Sequence, residues 1–146
     1  DWTGGNVSSA VIYEVNIRVA AAIETDYRAW LVEHIAAMLA LPGFVRAHCF
    51  DVLDPAPAPG FVALCVHYHL RDAQALQAYF EQYAAGMRAD GITRFGDNFS
   101  ASRRVLRECH AAGCVSGSSV PATMPSAAPQ AAPIAHGASR RGLQAG

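Results

Sequence analysis

Four segments of the chain alternate apolar and polar side chains with a period of two, the signature of a strand with one face buried. Val11 to Val19 sets Val11, Tyr13, Val15, Ile17 and Val19 on one face and Ile12, Glu14, Asn16 and Arg18 on the other. Phe44 to Leu53 places Val45, Ala47 and Cys49 against Arg46, His48 and Phe50. In Phe61 to Leu70, Val62, Leu64, Val66, Tyr68 and Leu70 oppose Cys65, His67 and His69. The alternation of Asn98 to Arg107 is less clean, and its adjacent Arg103 and Arg104 must point to opposite faces in any register. In three of the four strands the polar face carries His, Arg, Glu or Asn where a plain solvated strand would carry Thr, Ser or Lys.

Two stretches change period. From Glu24 to Leu41, Tyr27, Trp30, Leu31, Ile35, Met38 and Leu39 recur at three- and four-residue steps and form one stripe of an amphipathic helix, stopped by Pro42-Gly43. Asp72 is placed to cap a second helix with Leu76, Tyr79, Phe80, Tyr83 and Met87 on its buried side and Asp90-Gly91 at its end. The proline-rich Asp54 to Gly60 cannot ladder, so it joins two strands as the loop of a long hairpin. A symmetric loop brings His48 opposite His67, with Cβ atoms about 5 Å apart, and a slip of two residues would set His48 against His69 or Cys65 on the same face instead.

The order β-α-β-β-α-β predicts an α+β domain of the ferredoxin-like type: a four-stranded antiparallel sheet with two helices on one face. The apolar strand faces meet the helix stripes, and the second face of the sheet stays uncovered. With the first and third strands as central neighbours, Glu14, Asn16, Arg18, His67 and His69 converge on that open face beside Arg46 and His48.

Several strings are family-like. Val11-Ile12-Tyr13-Glu14-Val15-Asn16, the helix segment Trp30 to Ile35 with Met38 to Phe44, and Met87-Arg88-Ala89-Asp90-Gly91 followed by Phe95-Gly96 and Ser100 to Leu106 resemble a family of small bacterial proteins known as a domain of unknown function. That family is similar to the dimeric α/β-barrel superfamily, whose members pair two ferredoxin-like sheets through their open faces. The superfamily also holds antibiotic-biosynthesis-type monooxygenases, isomerases and haem-degrading enzymes. The resemblance spans Val11 to Leu106 and implies a homodimer and a cavity. It brings no catalytic residue, and fold alone does not fix function.

Composition bounds the rest. In 146 residues there is room for one domain, expected over 10–108, preceded by a short polar leader at 1–9. Residues 109–146 are rich in Ala, Pro, Ser and Gly and carry Arg140 and Arg141 as their only charged residues besides histidine, so they are expected to form a disordered tail. A net charge of -1 with scattered arginines gives no field for nucleic acid. No run reaches the roughly 18 apolar residues of a membrane span, and a cytoplasmic location is expected. The four cysteines, Cys49, Cys65, Cys109 and Cys114, have neither the density nor the spacing of a disulfide scaffold. Cys109-His110 with Cys114 offers three donors at the edge of the tail where zinc wants four, so no metal site is assigned.

The sharpest chemical feature is the group His67, His48 and Glu14. It can be a pocket in which a histidine acts as general base, oriented by Glu14, with Asn16, Arg18, Arg46, His69 and Arg104 as ligand-binding groups. It can instead be a polar seam between two copies. A facial triad of two histidines and a carboxylate has the right donors but no diagnostic spacing. His34 reads as a boundary residue of the first helix, and Tyr79, Phe80 and Tyr83 as packing. The expectation is a homodimeric small-molecule-binding or accessory protein with a cavity on the open sheet face and no cofactor. The alternative is a cofactor-independent monooxygenase or isomerase acting on a small aromatic or polyketide-like substrate, with His67 or His48 as base and Arg18 or Arg46 stabilising the anion.

Overall fold

A computed structural model describes residues 9–110 and 113. Strand β1 spans Val11–Ala20 and is followed by a one-turn 3-10 helix, Ala21–Ile23, and by helix α1, Glu24–Leu39. Strands β2, Phe44–Asp51, and β3, Phe61–Leu70, form the hairpin. Helices α2, Ala73–Gln82, and α3, Ala84–Phe95, lead through a short turn into β4, Phe99–Arg107. The sheet order is β2-β3-β1-β4 and all neighbours are antiparallel, the ferredoxin-like arrangement expected from the element order.

Parity on β1 decides what the sheet buries. Val11, Tyr13, Ile17 and Val19 sink under the helices with Leu64, Val66, Tyr68 and Leu70 of β3, and α1 contributes Tyr27, Trp30, Leu31 and Met38. Each such large apolar side chain stabilises by about 1.5 to 3 kcal/mol. The core is aromatic at two points. Tyr13, Phe44, Tyr68 and Tyr79 have ring centroids 5.3 to 6.2 Å apart, and Tyr27, Trp30, Phe95 and Phe99 form the second cluster. Acidic Glu24 and Asp26 lie in the first turn of α1, where they complement the exposed N–H groups. Arg28 ties that helix to the end of β2 through Glu24 and Asp51, each at 2.7 Å.

Gly43 explains the turn from α1 into β2. Its φ of +85° is a left-handed conformation, and a Cβ there would lie 2.3 Å from the Cβ of Ala75 on α2. Its carbonyl also accepts from the Arg71 backbone N–H at 2.8 Å, so this glycine locks the start of β2 to the end of β3.

Several details differ from the sequence reading. The alternation put Val45 inward, but a register shift between Phe44 and Arg46 makes Val45 the extra residue, 59% exposed, and sends Phe44 into the core. From Arg46 onward the expected pairing holds, with His48 opposite His67. The second helix is two: Tyr83, at φ -125° and ψ -27°, interrupts it. Asp90-Gly91 does not end it either, because α3 runs on to Phe95. Asp90 spends its carboxylate on the Trp30 indole N–H at 2.8 Å, and Gly91 is bare because the Trp30 and Phe99 rings come within 3.1 and 3.3 Å of where its Cβ would be. Strand β4 begins at Phe99 rather than Asn98, and α1 closes at Leu39, short of Leu41. The expected disordered tail falls almost wholly outside the described residues.

Candidate functional site

The open face gathers the residues singled out from the sequence. Glu14 stands at its centre, opposite His67 on β3 and Arg104 on β4, and its relative exposure is 4%. Oε1 accepts from Arg104 Nε at 2.6 Å and from Asn16 Nδ2 at 2.8 Å, while Oε2 meets His67 Nε2 at 2.8 Å. A carboxylate accepts only, so His67 Nε2 is the donor and, in the neutral ring, Nδ1 is left as the acceptor. The hydrogen bond from Arg104 holds the Glu14 carboxyl down to about 2; burial pushes the other way and is outweighed once Asn16 and His67 add their bonds. Glu14 is therefore an anion at every physiological pH.

The remaining residues of this face sit around that network. His48 and His69 meet edge to face at 5.4 Å, and Phe50 packs edge to face on His67 at 5.3 Å. Burial, with Arg46, His48 and His67 nearby, lowers the pKa of His69. Arg46 pairs with His69 across the ladder, and Arg18 lies apart, its guanidinium 4.4 Å from the centre of the Phe61 ring. The sheet thus brings Glu14, Asn16, His67 and Arg104 into one bonded group and sets His48, His69 and Arg46 beside it.

Donor atoms of Glu14, Cys65 and His67 lie within 4.8 Å of one another, near enough to share a metal ion. The electrostatics oppose it. Glu14 already accepts three hydrogen bonds, one from a guanidinium, and burial holds the Cys65 thiol in its protonated form. A cation entering there would face Arg104 and a neutral sulfur.

The other face of the sheet holds a feature that strand periodicity could not reveal. A cavity of about 370 Å³ lies between the sheet and the helices, within the range of small-molecule sites. Tyr13, Trp30 and Tyr79 contribute aromatic wall, and His34, Arg88 and Arg103 contribute polar groups. His34, read from the sequence as a boundary residue, stacks on Trp30 at 4.5 Å, and burial lowers its pKa. Arg88 Nη2 donates to the Tyr13 hydroxyl at 3.1 Å. The adjacent arginines of β4 divide as parity requires, Arg104 to Glu14 and Arg103 to this cavity. The sequence signal for Arg88 was faint: it follows Met87, a position of the buried stripe.

A βαββαβ chain with one helix-covered face and one bare, polar face has the ferredoxin-like architecture, and solved structures share it. SnoaB, a cofactor-independent oxygenase from Streptomyces nogalater, superposes with a TM-score of 0.53 at 14% identity, covering 75% of this chain and 99% of that one. A Deinococcus radiodurans protein described as a candidate antibiotic biosynthesis monooxygenase gives 0.55 at 15% identity, covering 70% and 96%. A conserved protein of unknown function from Bacteroides thetaiotaomicron gives 0.52 at 16% identity, covering 70% and 100%. At these identities the likeness is one of fold. The chain itself belongs to the family of the domain of unknown function DUF4286, whose model matches residues 10–109, as its strings implied. No curated protein matches the sequence.

Proposed function

We propose that this protein is a homodimer that binds a small molecule in each copy, in the cavity between the sheet and its helices. The observation that carries this reading is the cavity itself: about 370 Å³, walled by aromatic rings, with a few polar groups converging on it. The open face then serves assembly. Phe50 and Phe61 are 47% and 36% exposed there, around a carboxylate network that is bonded within the chain, and a second copy laid across the sheet would cover both rings. On this reading Glu14, Asn16, Arg18, Arg46, His48, His67, His69 and Arg104 line the seam between copies. The space they enclose is closed by the partner, and catalysis by His67 or His48 would have to take place in it.

Two measurements test the reading. Chemical-shift mapping with 2-naphthoate and 2-naphthamide as probes is expected to move the Trp30 indole and Gly91 amide signals. Binding of neither probe, or shifts centred on Glu14 and His67, would overturn the placement of the ligand. Asn16→Trp, which puts a bulky ring at the middle of the seam, is expected to halve the mass seen by light scattering, and an unchanged mass would reject the open face as the interface.

A further inference from the structure

We infer that the cavity takes a planar aromatic carboxylate and that Arg88 is the group that receives its charged end; this rests on the placement of the ligand proposed above. The starting point is a hydrogen-bond deficit. Arg88 Nε is buried, and no protein group accepts its N–H, although Nη2 of the same guanidinium is bonded to the Tyr13 hydroxyl at 3.1 Å. Buried donors are nearly always satisfied, and leaving one on a cation is more costly than leaving one on a neutral amide. Among the side-chain atoms of the described residues that are buried in this way, Arg88 Nε is alone in lacking a partner.

The geometry of the guanidinium selects the ligand. Nε–H and one N–H of Nη2 lie side by side along one edge, the spacing that matches the two oxygens of a carboxylate. Nη2 has a second hydrogen, so the bond to Tyr13 and a bidentate carboxylate are compatible. Tyr13 thereby engages Nη2 and leaves the buried Nε–H without a protein acceptor.

The surroundings supply no anion of their own to fill that place. Tyr79 beside Tyr13 has its pKa pushed up to about 12 by burial, and Tyr27 and Tyr68 are driven up for the same reason, so the phenols stay neutral. The other charged or titratable groups on the cavity are Arg103 from β4, His34 from α1 and Asp97 from the turn before β4. Asp97 and Arg103 are both exposed, and the two arginines outnumber the single carboxylate. The Asp90 carboxylate, two residues along α3, is engaged by Trp30. The balance of the cavity is therefore cationic.

Shape argues for a flat ring. Gly91 lets the Trp30 indole lie directly against α3, and Tyr13 and Tyr79, 5.6 Å apart between ring centres, add two more rings to the wall. Such surfaces favour a planar aromatic body, which stacks on them with its edge directed at the guanidinium.

The affinities of 2-naphthoate and 2-naphthamide, alike in shape and different in charge, decide the matter on the full-length protein. Naphthoate is expected to bind at least tenfold more tightly, and Arg88→Met to reduce that ratio to about one. Arg88→Lys, which keeps the charge without the fork, should fall between. Equal affinity of the wild type for the two probes overturns the inference and leaves the cavity reading standing, whereas binding of neither overturns the cavity reading itself. A preference for naphthoate that survives in Arg88→Met would place the anion elsewhere and also overturn it. Equal wild-type affinities overturn the inference even if the variants fold poorly.

Discussion

Replacing Glu14 with Gln removes one charge from the middle of the sheet at nearly constant volume. In the native protein this carboxyl titrates near 2 instead of its ordinary 4.5, with Arg104, Asn16 and His67 as the groups that hold it ionised. A depression of that size corresponds to about 3 kcal/mol of folding free energy, and solvent around the Arg104 side chain reduces the expectation to about 2 to 3 kcal/mol. The sign follows from the direction. A carboxyl whose folded pKa is depressed contributes fully above its unfolded value and loses that contribution as the pH falls toward the folded value. Glu14→Gln should therefore be less stable than wild type at neutral pH, with the gap closing between the ordinary 4.5 and about 2. Urea unfolding followed by circular dichroism, repeated from about pH 7 downward at one protein concentration, measures both curves. Other carboxyls titrate in both proteins and cancel in the difference. A gap that stays constant as the solution is acidified, or no gap at neutral pH, would show that the network around Glu14 does not hold its charge as described.

Further outcomes test the frame around the two faces. Gly43→Ala meets both a left-handed backbone and the Ala75 side chain, and should lose about 2 to 4 kcal/mol in the same urea assay; a loss under about 1 kcal/mol would mean that the turn re-forms freely. Asp72→Ala removes the side-chain cap on the Ala75 N–H at the start of α2 and should cost about 1 kcal/mol. Because that bond lowers the Asp72 pKa, the charge-dependent part of the cost is present at neutral pH and should shrink as the pH falls below the ordinary 3.8; a cost that grows in acid, or none at neutral pH, would refute the capping account.

The sheet was legible because its rule is local. Alternation on β1 assigned Tyr13 and Ile17 to the core and Glu14 and Arg18 to the other side, and a symmetric hairpin sufficed to set His48 against His67. Where one residue breaks the count, the pattern misleads: Val45 alternates correctly on paper, but the bulge lets the larger Phe44 fill the core instead. The pair Asp90-Gly91 has the composition of a helix stop, and only its tertiary partners, Trp30 and Phe99, show that it lies inside α3. The cavity was out of reach for a related reason. It is the space left between elements, and Arg88 acquires meaning only when Tyr13, 75 residues away in sequence, closes against it.

Strand β4 has a mechanical consequence. Its successive arginines reach through the sheet in opposite directions, one toward the buried carboxylate and the other toward the cavity. A strand is a stiff rod, so a small slide or twist of β4 cannot be confined to one surface. A shift of the backbone at Arg103 would therefore be felt at its neighbour Arg104, which donates to Glu14 on the opposite face.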